Sequence, residues 1–508
     1  MPKTIVIGSG FAGLSAACHL AKRGHDVTLI EKNETLGGRA RVFEADGFKF
    51  DMGPSWYWMP DVFEHFFAQF GKKPSDFYDL VRLDPSYRVY FEGDDAWDIS
   101  ASMEEILALF EKVEPGSAKA LRKFLDEGAY KYEVGIQDLV YKPGLSLGEF
   151  ADMRVIKGAL QLHLFKNISS YIRKQFKDSR LIQLLEFPVL FLGAMPEDTP
   201  ALYSLMNYAD MVGGTWYPMG GMHKIIEGMV SVARELGVKI HSGEQVRSFD
   251  VVDGRIARVR THSGQWDCDL VVSGADYHHT DQQILDEPYR GYSPKYWDNR
   301  KLAPSSLIYY LGIEGELPGL LHHNLFFDAP FHAHAHTIYK SKEWPSKPLF
   351  YVSNPSKTDP SVAPKGKENI FILIPVAPGL QEEEGVRERY LDMIMDRMEA
   401  RLGYTLRDRI IYKRSYAHKE FIQDYHSFKG NAYGLANTLD QTAILKPKIR
   451  SKKIANLFYT GQLTTPGPGV PPSLISGEVV ANVIDQHFEP VALWKHFSMK
   501  FPFGAAAW

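Results

Sequence analysis

Gly8, Gly10 and Gly13 stand ahead of an acid, Glu31, at a spacing suited to holding the pyrophosphate and ribose of a dinucleotide. Gly8 permits a tight turn, Gly10 lets a pyrophosphate approach the backbone, and Gly13 lets a helix pack close to a strand. Glu31 lies 18 residues beyond Gly13, where a carboxylate accepts hydrogen bonds from a ribose 2′-hydroxyl. An adenosine without a 2′-phosphate is favoured and NADP is disfavoured. Two further turns, Leu36-Gly-Gly-Arg39 and Gly53-Pro-Ser-Trp56, would bring backbone against a flat or anionic ligand, as would the loop Pro466-Gly-Pro-Gly-Val-Pro-Pro472. His332, His334 and His336 alternate as on a surface strand, with His322 and His323 upstream. They have no second ligand set at metal spacing, so no metal is assigned.

The elements around the first turn fit it. Lys3 to Ile7 reads as a strand, a helical run follows Gly13, and Val27 to Ile30 reads as a second strand ending at the acid. The helix N-terminus between them offers unpaired N–H groups to phosphates. Farther along, Phe91 to Arg180 is largely helical in pattern, with amphipathic stretches such as Met103 to Val113. Gln245 to Val252 and Arg255 to Thr261 flank an Asp253-Gly254 hairpin turn. Leu307 to Leu311 and Ile370 to Pro375 read as strands of a sheet floor, Gly385 to Leu402 as a helix, and Asn456 to Gly461 as a strand ending in glycine. A helix from Ser473 to Phe488 follows the Pro/Gly loop.

At 508 residues the chain has length for two or three domains and a large core. A net charge of −4 with acids and bases nearly balanced gives no global field for nucleic acid, which is not assigned as a partner. Cys18 and Cys268 are far apart, in keeping with a reducing compartment. The opening strand leaves no room for a leader peptide, and no stretch reaches the roughly 18 apolar residues that span a bilayer. The tail from Trp494 to Trp508 is apolar and aromatic; it could touch a membrane, pack back on the protein or be an appended segment.

Nearly the whole chain resembles the FAD-dependent carotenoid desaturases of bacterial type, within the amine-oxidase-like flavoproteins. The resemblance is carried by the Gly8/Gly10/Gly13 turn, Glu31-Lys-Asn-Glu-Thr-Leu-Gly-Gly-Arg39, Phe50-Asp-Met-Gly-Pro-Ser-Trp56, Thr215-Trp-Tyr-Pro-Met-Gly-Gly221, and Tyr459-Thr-Gly-Gln to Pro472. Gly53 to Glu64 is most similar to phytoene desaturases. The resemblance implies an α/β protein: a Rossmann-type FAD-binding domain interleaved with an α+β substrate domain and a helical membrane-facing region. Residues 1–90, 210–300 and 435–490 would form the FAD-binding domain, 91–209 and 301–434 the substrate domain, and 491–508 a tail. Gly8, Gly10, Ala12 and Gly13 would cradle the pyrophosphate, and Glu31, with Lys32 beside it, would take the adenosine ribose. Gly38, Arg39, Gly53, Pro54, Ser55 and Trp56 would approach the diphosphate, ribityl chain and flavin. Val246 would pack near adenine, and Gly461, Gln462, Gly469, Val470 and Pro471 would lie along the ribityl chain and isoalloxazine. Gln462-Leu-Thr-Thr465 departs from the family's commoner Ala-Gly-Thr-His.

The reaction so implied is desaturation of phytoene toward lycopene. No amino-acid side chain accepts a hydride at useful cost, so the flavin must, with oxygen or a quinone as final acceptor. A cation at an allylic carbon spreads over conjugated double bonds, so few polar residues are needed beyond a proton acceptor. Glu149 aligns loosely with an acidic position of the family, although its neighbouring basic position is Asp152 here. Moving a hydrocarbon of about forty carbons through water would cost on the order of 30 kcal/mol, beyond the ~20 kcal/mol at which affinities saturate. The substrate must therefore come from a bilayer, which places the protein on the inner face of the cytoplasmic membrane. Ile156, Leu160, Leu164, Ile168, Ile172 and Phe176 form an i, i+4 row flanked by Arg154, Lys157, Lys166, Arg173, Lys174, Lys177 and Arg180, readable as a membrane-facing stripe or as a helix packed on the core. Trp56-Tyr57-Trp58 and Trp216-Tyr217 would line the polyene site or fill core. The rival readings are a desaturase of a later hydroxylated or cyclised carotenoid, an amine or porphyrinogen oxidase, and a non-enzymatic isoprenoid-binding module like the inhibitors that sequester prenylated GTPases.

Overall fold

The computed structural model describes residues 1–93, 95–146, 149, 166–190 and 193–498. The chain begins with β1 (Lys3–Ile7), turns through Gly8 into α1 (Phe11–Lys22), and returns as β2 (Asp26–Ile30) parallel to β1. Crossover through a helix requires this parallel pairing, and burial on both faces explains the apolar runs in both strands. β3 (Lys239–His241), β4 (Leu270–Ser273) and Leu457–Tyr459 complete a parallel five-stranded sheet in the order Leu457–Tyr459, β4, β1, β2, β3. Three distant stretches of chain thus build one sheet.

A seven-stranded sheet lies beside it. Its centre is β5 (Ser305–Glu314), β6 (His323–Phe327), β7 (Phe350–Ser353) and β8 (Lys367–Val376), in the order β5, β8, β7, β6. Ile410–Tyr416 flanks β5, while Tyr87–Phe91 pairs parallel to β6 and carries Ala96–Ile99 at the edge. β5 is buried along nearly its whole length, as a central strand covered on both faces must be. Register places Ile308 opposite Leu373, and Leu373 opposite Tyr351, in one row across three strands. Two residues along β5 from Ile308, Ser306 shares that face.

Helix α2 (Val470–Ser498) begins where the Pro/Gly loop ends and crosses α1 closely. A Cβ on Gly477 would lie 2.4 Å from Ser15 Cβ, and the Ser15 hydroxyl donates to the Leu474 carbonyl at 2.7 Å. The hairpin at 253–254 forms with φ of +49° at Asp253 and +70° at Gly254, as its Asp-Gly sequence requires.

One expectation is overturned and another is narrowed. Phe331–His336 is a helix, not a strand. His334 is buried there, facing the Pro375 carbonyl at 2.9 Å and accepting from the Leu349 amide, and no metal-ligand cluster exists among the described residues. In the apolar row from Ile156 to Phe176, the described part follows the core-packed reading. Ile156, Leu160, Leu164, Arg154, Lys157 and Asp152 lie outside the described residues, and Asn167 caps the helix Ile168–Arg173 by accepting from the Ser170 amide at 2.7 Å. Ile168, Ile172 and Phe176 are fully buried in the core. Their spacing answers to packing on neighbouring helices, a demand with the same period as a membrane face. No described helix is long and apolar enough to cross a membrane.

Candidate functional site

The C-terminal ends of β1, β2 and β4 open onto a cavity of about 720 Å³. Its position follows the rule for open parallel sheets, in which ligands sit beyond the carboxyl ends of the strands. Of the cofactor residues expected from sequence, Gly8, Gly10, Ala12, Glu31, Lys32, Gly38, Arg39, Gly53, Pro54, Ser55, Trp56, Val246, Gly461, Gln462, Gly469, Val470 and Pro471 all line it. Gly13 does not. It stands behind the turn, where a Cβ would come within 1.9 Å of the Gly8 carbonyl oxygen, so its absence of a side chain lets α1 seat on β1.

Glu31 is buried and held by four donors. The Ser9 amide and hydroxyl reach one carboxylate oxygen at 2.9 and 2.7 Å, and the Asn33 amide and side-chain nitrogen reach the other at 2.9 and 3.0 Å. The Ser9 hydroxyl in turn accepts from the Gly37 amide, tying the first glycine turn to the second. Lys32 extends away, its ammonium on the Gln423 carbonyl. Gly38 backs onto Gly10 so tightly that a Cβ there would lie 3.0 Å from the Gly10 Cα.

Arg39 is the cationic group deep in this wall. Burial pulls its pKa down from the usual guanidinium value, an effect opposed by nearby Asp276 and the Tyr425 and Tyr416 rings. Its Nη2 donates to the Ser427 hydroxyl and Asn431 carbonyl at 3.3 and 3.4 Å and, with the Gln462 amide turned to satisfy both its ends, to Gln462 Oε1 at 2.8 Å. Its Nε is buried with no partner. Asp276 also lines the cavity, and burial raises its carboxyl to about 6, against the pull of Arg39. Sequence reading missed Asp276, although it follows a strand and Gly274, a signal of the kind used at Gly8.

Beyond this polar end the cavity turns apolar. Trp56, Trp58, Ile136, Leu139, Leu205, Met206 and Leu373 line it, with Ser306 and Tyr351 from the face of the seven-stranded sheet. Tyr57 does not contribute, being fully buried with its hydroxyl 3.0 Å from that of Tyr78. Trp216 and Tyr217 also stand off this wall and fill the junction behind it. Glu149 is not among the described residues that line the cavity. Its carboxylate accepts from the Gly144, Leu145 and Ser146 amides at 2.9 to 3.0 Å, closing a turn.

Tight glycine turns, a fixed carboxylate and an orphaned guanidinium Nε fit a flavin dinucleotide: backbone for the pyrophosphate, an acceptor for the ribose, a buried donor for a carbonyl or phosphate oxygen. Comparison with known proteins agrees. The sequence profile of the flavin containing amine oxidoreductases matches residues 11–485. A carotenoid 3,4-desaturase of Haloarcula japonica is 41% identical over 480 residues, covering 94% of this chain and 97% of that protein. The chain belongs to the carotenoid desaturases of this flavoprotein family. A zeta-carotene-forming phytoene desaturase of Myxococcus xanthus is 32% identical, with 97% and 94% covered. Among solved structures, an oxidoreductase from Methanosarcina mazei shares the fold with a TM-score of 0.60 at 19% identity, covering 95% of this chain and all of that one. As a carotenoid desaturase the protein is an FAD-dependent oxidoreductase acting on a hydrophobic carotenoid.

Proposed function

We propose that the protein desaturates a C3–C4 bond near the end of an already conjugated carotenoid. The carrying observation is one cavity, polar and glycine-walled at one end and lined by tryptophans and aliphatic side chains at the other. The identity to a carotenoid 3,4-desaturase supports this choice of bond. Conversion of phytoene toward lycopene is the second reading, favoured by the likeness to the phytoene desaturase.

Bound FAD would supply hydride acceptance at the flavin, and oxygen or a quinone would then take the electrons. The chain's own groups do the rest. Gly8, Gly10 and Ala12 give the pyrophosphate its backbone seat, with Gly13 behind them letting the helix close on the turn; Glu31 takes the adenosine ribose beside Lys32 and Val246, and Gly38 and Arg39 approach the diphosphate and ribityl region. Gly53 to Trp56, Gly461, Gln462 and Gly469 to Pro471 enclose the flavin end. In domain terms, residues 1–90, 210–300 and 435–490 bind FAD, and 91–209 with 301–434 bind substrate.

The cavity wall includes Leu139, Val140 and Lys142 and also Thr442 and Ala443, whose segment packs against Gly144. Their chain neighbours Leu145 and Leu445 are 43% and 49% exposed, unusual for large apolar side chains. This rim is where the protein would rest peripherally on the inner face of the cell membrane and draw its substrate from lipid.

Expression in one strain that accumulates lycopene and in another that accumulates phytoene, with pigment chromatography, tests the reading. A product with a longer conjugated system from lycopene and unchanged phytoene is expected. Lycopene formed from phytoene would establish the second reading, and no change in either strain, with flavin-loaded protein present, would defeat both.

A further inference from the structure

Desaturation leaves a proton in an apolar limb, and the Glu149 carboxylate is not among the described groups lining it. Among the described residues, a hydroxyl–imidazole pair stands at the cavity wall instead. Tyr351 lines the cavity, and its hydroxyl lies 2.7 Å from His323 Nδ1. His323 lies opposite Ser353 in the β6–β7 register, so it sits diagonal to Tyr351 on one face of the sheet. Its ring is fully buried, stacked on Trp56 at 4.2 Å between centroids, and its Nε2 has no partner.

A second, small cavity of about 30 Å³ lies on the far side of Ser55, which lines both. Asp51, His322, Ser353 and Asn369 also line it, and the His322 ring is 4.5 Å from that of His323. Phe50, Val362 and Phe371 complete a largely apolar lining, with room for one water beside these polar groups and a buried Asn369 Oδ1 left unpartnered. Tyr351 thus lines the large cavity, while His322 and Ser353, the neighbours of His323 in sequence and register, line the small one.

We propose that Tyr351 is the catalytic proton acceptor of the desaturation and that His323 is its positioning and relay partner. The inference rests on the desaturase reading but not on which carotenoid is used. Once hydride has left one carbon, the C–H bond of its neighbour breaks and that electron pair becomes the new π bond. The proton adds to Tyr351 Oη as the phenol's own proton passes to His323 Nδ1. His323, protonated at Nε2 from the start, becomes an imidazolium, gives up its Nε2 proton to water, and is reset to the Nε2–H tautomer by proton exchange before the next turnover. Burial, reinforced by His322, holds the His323 pKa well below the usual value, so the ring is neutral at rest and does not keep the proton it receives. Burial likewise raises the Tyr351 phenol, so the resting pair is uncharged.

The test uses the purified FAD-loaded protein, with lycopene and with phytoene in phospholipid vesicles. Tyr351→Phe should lower kcat by about a hundredfold with KM and flavin content unchanged. His323→Asn should also lower kcat, and the double variant should be no slower than Tyr351→Phe alone, because the imidazole acts through the phenol. An undiminished kcat in Tyr351→Phe, or fully additive losses, overturns the proposal. Independently of turnover, nitrogen NMR of histidine-labelled protein, with the His323 signal identified by its loss in His323→Asn, should show the Nε2–H tautomer. An Nδ1–H tautomer overturns the relay even if Tyr351→Phe cannot be loaded with flavin. Wild-type protein inactive on both carotenoids would fail the functional reading, and the tautomer would still decide the pair.

Discussion

Gly13 shows how one residue sets the geometry of a site it does not touch. Its missing Cβ would collide with the Gly8 carbonyl at 1.9 Å, so Gly13→Ala must push α1 off β1 and open the turn. The variant should lose about 1–3 kcal/mol of stability and purify depleted of flavin, as read by urea unfolding and flavin absorbance. Full flavin content would show that the turn tolerates the shift. Asp210 makes a different prediction. It is buried, accepts from the Tyr87 hydroxyl at 2.7 Å, and desolvation raises its carboxyl to about 7. A folded pKa above the unfolded value means that the native state binds the extra proton. The stability this confers is present in full below about pH 4 and is lost as pH rises through 7. Unfolding free energy relative to Asp210→Asn should therefore fall by ~3 kcal/mol from pH 4 to pH 8. A constant difference between the two proteins would contradict a raised carboxyl.

Elements that repeat a period for two different reasons mislead a reader of sequence. Ile172 lies on the expected membrane stripe yet is fully buried. Ile172→Ala should cost about 2–5 kcal/mol by thermal or urea unfolding and leave vesicle flotation unchanged. Weakened flotation at full stability would restore the stripe. Charges at the rim should act oppositely: Leu145→Asp with Leu445→Asp should reduce flotation with anionic vesicles and leave stability within about 0.5 kcal/mol, since both side chains are exposed. Unchanged flotation would remove this rim as the lipid contact. The glycine turns were legible because their geometry is local: a tight bend, a close approach and a following helix are written in adjacent residues. Strands such as Ser305–Glu314 and Lys367–Val376 were legible too, in apolar runs that need burial on both faces. Tyr351, Ser306 and His323 were not, because the cavity acquires them through strand order and register across β5, β8, β7 and β6. No local pattern encodes which face of a seven-stranded sheet meets a distant turn. The Asn167 cap, by contrast, was a readable helix start within the apolar row.

For the molecule as a whole, the central claim is that electrons pass from a lipid-derived polyene to a flavin held where the parallel sheet's turns meet the second sheet. The most direct measurement mixes the purified flavoprotein with lycopene in vesicles in the absence of oxygen and quinone, and follows flavin and carotenoid absorbance together. A single turnover should bleach the flavin and shift the carotenoid spectrum to longer wavelength at the same rate, with one new double bond per flavin reduced. A carotenoid shift without flavin bleaching, or a flavin that stays oxidised with both lycopene and phytoene, would contradict the account.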